Sequence, residues 1–89
     1  MNVEFDKSFL KSIQNLKDPS ILSKIEKTIC DFEHATSVGS IKNTKKMVGY
    51  KTYYRTRIGD YRLGFELVNP YTIILIIVAH RKDIYKMFP

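Results

Sequence analysis

Residues 53–67 read YYRTRIGDYRLGFEL and residues 72–85 read TIILIIVAHRKDIY; between them they hold every arginine of the 89-residue chain. Over residues 51–58 the side chains alternate. Tyr54, Thr56 and Ile58 fall on one face of an extended strand, and Tyr53, Arg55 and Arg57 on the other. Gly59-Asp60 suits a two-residue reversal, because glycine tolerates the positive φ such turns require. The return strand presents Tyr61, Leu63, Phe65 and Leu67 to an apolar side and Arg62, Gly64 and Glu66 to a polar one. Asn69-Pro70 marks a second turn. Residues 72–79 are apolar on both faces, as a strand inside a sheet would be, and Arg81 closes that strand. Guanidiniums gathered on one sheet repel each other unless something anionic sits among them.

Working outward, Asn2 to Phe5 reads as a short strand, with Val3 and Phe5 alternating against polar neighbours. Asp6 caps a helix from Lys7 to about Leu16, whose Phe9, Leu10, Ile13 and Leu16 form one stripe. Asp18-Pro19 starts a second helix, with Leu22, Ile25, Ile29 and Phe32 at helical spacing. The few residues between the helices predict an antiparallel hairpin. Cys30 lies one step off the second stripe, as a half-buried small residue. From His34 to Lys46 the pattern lapses into a loop, with room for a short strand near its end. Residues 82–88 allow a helical turn or two. The expected fold is α+β, one domain over residues 1–89: a twisted antiparallel sheet with an N-terminal helical hairpin on its apolar face. The arginines belong to the opposite, concave face.

The charge is uneven. The chain carries a formal net charge of +6, yet residues 1–41 hold five lysines against six acids. Residues 42–89 hold ten lysines and arginines against three acids, which points to a polyanionic partner or an acidic protein covering the patch. A merely solvated lysine-rich surface is the plainer reading, but these arginines lie inside strands. One cysteine makes no internal disulfide, and the longest apolar run, 73–79, is far short of a membrane span. A cytoplasmic protein with no membrane partner is expected. His34 has only Glu33 near it, and no stretch carries a metal or cofactor signature.

Guanidiniums hold phosphate oxygens through paired N–H donors. Arg55, Arg57, Arg62 and Arg81 on one surface would grip a nucleic-acid backbone, while Tyr53 and Tyr85 could stack on splayed bases. Tyr53 also suits cross-strand packing. Cleavage would further require proton transfer and stabilisation of a pentavalent phosphate. Histidine is the side chain suited to such transfer near neutral pH, which makes His80 a candidate, with Glu66 and Tyr85 as others. On a regular strand, however, His80 and Arg81 point to opposite faces.

The strings YYRTRIGDYRLGFEL and TIILIIVAHRKDIYK, with the opening NVEFDKSFLKSIQNL, resemble the RelE branch of the RelE/ParE toxin superfamily over essentially the whole chain. GDYR and HRKDIY are the most specific parts. The resemblance implies a microbial-RNase-like fold and a bacterial toxin of a toxin–antitoxin pair. Such a toxin cleaves mRNA in the ribosomal A site without metal or cofactor, leaving a 2′,3′-cyclic phosphate and a 5′-hydroxyl. Its partners would be mRNA, ribosomal RNA and a small, acidic, helical antitoxin. By position, Arg62 would bind the scissile phosphate and Arg81 would stabilise it or the leaving group. Tyr85 would stack on a base or position the 2′-hydroxyl. Arg55, Arg57 and His80 stand where the best-known member carries lysines, so proton transfer falls to His80 in this reading. Lys42, Lys45, Lys46 and Lys51 would touch RNA or antitoxin carboxylates, and Lys82 and Lys86 would flank Tyr85 on the RNA. The ParE branch, inhibiting DNA gyrase without nuclease activity, is the competing reading. A basic module that only binds RNA is the third.

Overall fold

Asp6 and Asp18 start their helices as capping chemistry demands. In the computed structural model, which describes all 89 residues, each carboxylate accepts from the backbone N–H two positions on, Ser8 at 3.0 Å and Ser20 at 2.9 Å. Pro19 opens the second helix, where its missing N–H costs nothing. The chain runs β1 (Asn2–Phe5), α1 (Lys7–Gln14), α2 (Pro19–His34), a 3-10 turn at Val38–Ser40, and β2 (Thr44–Lys46). It continues through β3 (Tyr53–Ile58), β4 (Tyr61–Asn69), β5 (Thr72–His80) and α3 (Ile84–Met87). The first helix stops two residues before the expected Leu16, which still packs on the core from the following turn.

The five strands lie in the order β1-β5-β4-β3-β2. All neighbours are antiparallel except β1, which pairs in parallel with β5, so the sheet is mixed where the sequence suggested a purely antiparallel one. The difference has a physical reason. Hairpin turns announce antiparallel neighbours locally, whereas the pairing of Asn2 with Thr72 is a long-range contact with no local signature.

α1 and α2 cover one face. Phe9, Ile21, Ile25 and Phe32 meet Ile58, Leu63, Phe65, Ile73, Leu75 and Val78 there. On α2 it is Ile21 that is buried, with Leu22 only half-buried, so the buried stripe starts one residue earlier than expected. Each fully buried side chain of this size contributes about 1.5–3 kcal/mol relative to exposure. Cys30 is exposed rather than half-buried. The opposite face is not bare: Met47, Ile77, Ala79, Ile84 and Phe88 form a second, smaller cluster under α3.

An irregularity in β5 decides which side chains share that second face. Phe65 pairs with Leu75 but Gly64 pairs with Ile77, so Ile76 is an extra residue. Such a bulge exchanges the faces of everything beyond it. Ile73 and Leu75 point to the helices before it, and Val78 does so after it. α1 supplies backbone partners on the edge of β5 that β1, ending opposite Leu75, no longer covers. The Ser12 hydroxyl accepts from Val78 N–H at 3.0 Å, and the Ser8 hydroxyl lies against the Ile76 carbonyl and the Asp6 carboxylate. No helix is long and apolar enough to cross a membrane.

Candidate functional site

Strand register gathers the arginines. Arg57 lies directly opposite Arg62, which lies opposite Ala79; Arg55 lies between Lys45 and Gly64. Paired residues point to the same side of a sheet. Lys45, Arg55, Arg57 and Arg62 therefore share a face, and with Asn43 and Thr44 they line a cleft of about 390 Å³. Arg81, one residue past the end of β5, donates its N–H to the Asp60 carbonyl at 2.8 Å, and its charge acts on Arg62.

The electrostatics report the same crowding. Partial burial lowers the pKa of Arg62 below the ordinary guanidinium value, and the charges of Arg57, Arg55 and Arg81 lower it further; Tyr85 opposes them. The hydrogen bonds of these arginines go to neutral groups. Arg62 Nη1 donates to the carbonyls of Gly59 and Tyr61, each at 2.9 Å, which braces it across the hairpin turn. Arg57 Nη2 donates to Asn43 Oδ1 at 3.3 Å, and Arg55 Nη1 lies 3.9 Å from the Met47 sulfur. The Arg55 guanidinium also sits 5.1 Å from the centre of the Tyr85 ring, within cation–π range. Tyr85 itself is 65% exposed, so one surface remains open for a further stack.

The other expected residues divide. Lys45 is in the cleft, and Lys82 and Lys86 are exposed around Tyr85. Lys51 is exposed in the loop before β3. Lys46 pairs with Tyr54, whose ring stacks on core Phe65, so its register belongs to the helix side. Tyr53 shares the arginine face but packs edge-on against Phe88 at 5.4 Å and Tyr50 at 5.8 Å. That is the packing role, and Tyr53 is half-buried in it. Glu66 accepts from the Thr52 hydroxyl at 3.1 Å and lies four residues along β4 from Arg62, about 13 Å at strand rise.

His80 is set apart. It pairs with Tyr61, and the two rings meet edge-on at 5.5 Å on the face away from Arg62. Its Nδ1 accepts from Lys82 N–H at 3.2 Å. The bulge at Ile76 produces this by giving Ala79 the cleft face and His80 the helix face. Asn43 was not singled out from sequence, yet it lines the cleft, holds Arg57 and adopts a φ of 58°. Asparagine tolerates that left-handed conformation, and its place in a polar loop was the available signal. No three His, Cys, Asp or Glu side chains gather at metal-binding distance.

A helical hairpin thus covers one face of a mixed sheet, and a cationic cleft opens on the other. Residues 3–85 match the family described as the ParE toxin of type II toxin–antitoxin systems, parDE. The chain is 41% identical over 90 residues to Toxin RelE3 of Methanocaldococcus jannaschii, covering all of both chains. It superposes on the RelB–RelE antitoxin–toxin complex structure from Methanococcus jannaschii with a TM-score of 0.79 at 37% identity, covering 97% of this chain and 99% of that one. The archaeal RelE–RelB complex from Pyrococcus horikoshii OT3, at 20% identity and a TM-score of 0.71 over 90% of this chain and 93% of that one, shares the fold. The chain therefore belongs to the ParE-toxin family of type II toxin–antitoxin systems, and within it to the RelE type. These relatives are archaeal, so they give no support to the bacterial source that the resemblance implied.

Proposed function

We propose that this toxin is an endoribonuclease that cuts messenger RNA in the ribosomal A site. One observation carries the reading. Three guanidiniums from β3 and β4 line one cleft, Arg81 adds its charge from the end of β5, and their hydrogen bonds leave the positive charge unneutralised. A folded chain tolerates such repulsion where a polyanion relieves it. Likeness to Toxin RelE3 and to the RelE of a RelB–RelE complex supports the same reading.

The step is attack of the ribose 2′-oxygen on the adjacent phosphorus. An O2′–P bond forms and the P–O5′ bond breaks, giving a 2′,3′-cyclic phosphate and a 5′-hydroxyl. Arg62 and Arg57, paired across the hairpin, hold the non-bridging oxygens, with Arg55 and Arg81 on either side. Their charges stabilise the extra negative charge of the pentavalent state, the kind of fixed electrostatic contribution that dominates many catalysed steps. One proton leaves the 2′-hydroxyl and one reaches the departing O5′. Lys45 in the cleft and the Tyr85 hydroxyl beside it are the groups assigned to these transfers. The exposed Tyr85 ring stacks on a neighbouring base. An acidic antitoxin, covering the cationic face with a helix, is the partner this chemistry calls for.

The purified toxin is to be incubated with mRNA-programmed ribosomes. Fragments ending within the A-site codon are the expected result. Intact message together with arrested DNA supercoiling would instead establish a gyrase inhibitor, and intact message with tight RNA binding a non-catalytic module.

A further inference from the structure

Gly64 sits mid-strand in β4 with the ring of Phe88 laid over it. A Cβ placed on Gly64 would come within 2.7–2.8 Å of three Phe88 ring carbons, closer than packed carbons approach. Glycine inside a strand weakens it, and close approach by another group is one reason it is kept. Phe88 is only 2% exposed, its N–H donates to the Ile84 carbonyl at 2.8 Å, and its ring meets Tyr53 edge-on. Ile84, 1% exposed, is buried in the same cluster. α3 is four residues long and too short to persist without tertiary contacts. Ile84 anchors its first residue, and Phe88, the extended residue that caps its C-terminus, anchors the other end. Tyr85 lies between these two anchors in sequence and is itself exposed, with its ring beside Arg55.

We propose that Gly64 and Phe88 are positioning residues. The seat of the Phe88 ring on the bare backbone of Gly64 clamps α3 and thereby holds Tyr85 over the arginine cleft. The inference deepens the nuclease reading and rests on it. Phe88 itself has no place in the chemistry, because it is buried beneath the segment that carries Tyr85.

The test is a double-mutant cycle read by single-turnover cleavage on programmed ribosomes, with RNA affinity and unfolding midpoint measured alongside. Phe88→Ala should lower the cleavage rate by about 10²-fold, the scale of loss for a misplaced catalytic group, and weaken RNA binding by no more than Tyr85→Ala does. Gly64→Ala, which fills the seat rather than emptying it, should lower the rate in the same direction. Phe88→Leu, which refills part of the volume, should recover part of it. In a Tyr85→Ala background, Phe88→Ala should have almost no further effect on rate. Losses that simply add, in a wild type that cleaves, overturn the positioning role and leave the nuclease standing. A wild type that leaves message intact overturns the nuclease reading, and the positioning role falls with it. If Phe88→Ala does not fold, the Gly64→Ala and Tyr85→Ala cycle decides by the same criterion.

Discussion

Arg62 stands in unfavourable company. Burial and the charges of Arg57, Arg55 and Arg81 lower its pKa, so the folded state disfavours its charged form. A base with a depressed folded pKa costs stability at every pH where it is charged in both states, which includes the whole working range. Arg62→Gln keeps side-chain N–H donors and removes the charge. It should leave the Tm of the free protein unchanged or raised, while lowering cleavage by about 10²-fold or more. A fall in Tm to match the lost activity would make Arg62 a structural residue. His80→Gln should retain cleavage within about threefold and leave the pH–rate profile near the ordinary histidine pKa unmoved. Loss of cleavage with RNA binding intact would return proton transfer to His80. The arginines were legible in sequence because strand alternation is local. The facing of His80 was not, since it depends on an extra residue at Ile76 that looks like any other isoleucine in the run TIILIIVAH.

At the scale of elements, the bulge in β5 and the two serines of α1 act as one unit. Ser8 and Ser12 stand one helical turn apart and meet the backbone of Ile76 and Val78, the residues around which the register shifts. Ser12→Ala strands the Val78 N–H and should cost about 1–3 kcal/mol in urea unfolding. It should also weaken cleavage more than a stability-matched core substitution on α2, because it loosens the strand end that Arg81 follows. Equal effects of the two variants would separate the bulge from the site. Ser8 also holds the Asp6 cap. Its hydroxyl first, and its N–H second, lower the Asp6 pKa below the ordinary carboxylate value. The resulting stabilisation is fully present above the unfolded carboxyl pKa and is lost as pH falls through the lowered folded one. Ser8→Ala should therefore be less stable than wild type at neutral pH, and the part of the gap owed to Asp6 should close in acid. A gap independent of pH would assign the whole effect to the Ile76 carbonyl. Helix starts at Asp6 and Asp18 were readable from capping residues alone. The parallel seat of β1 was not, because its partner lies at the other end of the chain.

For the whole molecule, sequence and fold agree on a division of labour. The residues up to 41, nearly balanced in charge, build the helical hairpin that covers one face of the sheet. The strongly basic remainder builds the four antiparallel strands that carry the cleft. That asymmetry was visible in composition, whereas the second apolar cluster beneath α3 was not. Its members come from three segments, Met47 after β2, Ile77 and Ala79 in β5, and Ile84 and Phe88 at α3, which no single periodic pattern joins. The cluster narrows the open face to the arginine end and sets Tyr85 at its border. The chemistry of the cut ends tests the central claim most directly. Message recovered from programmed ribosomes after one turnover should carry a 2′,3′-cyclic phosphate on one new end and a 5′-hydroxyl on the other, and both should form about 10²-fold or more slowly with Arg62→Gln. New ends bearing a 3′-hydroxyl and a 5′-phosphate, or cyclic ends made equally well by Arg62→Gln, would contradict it.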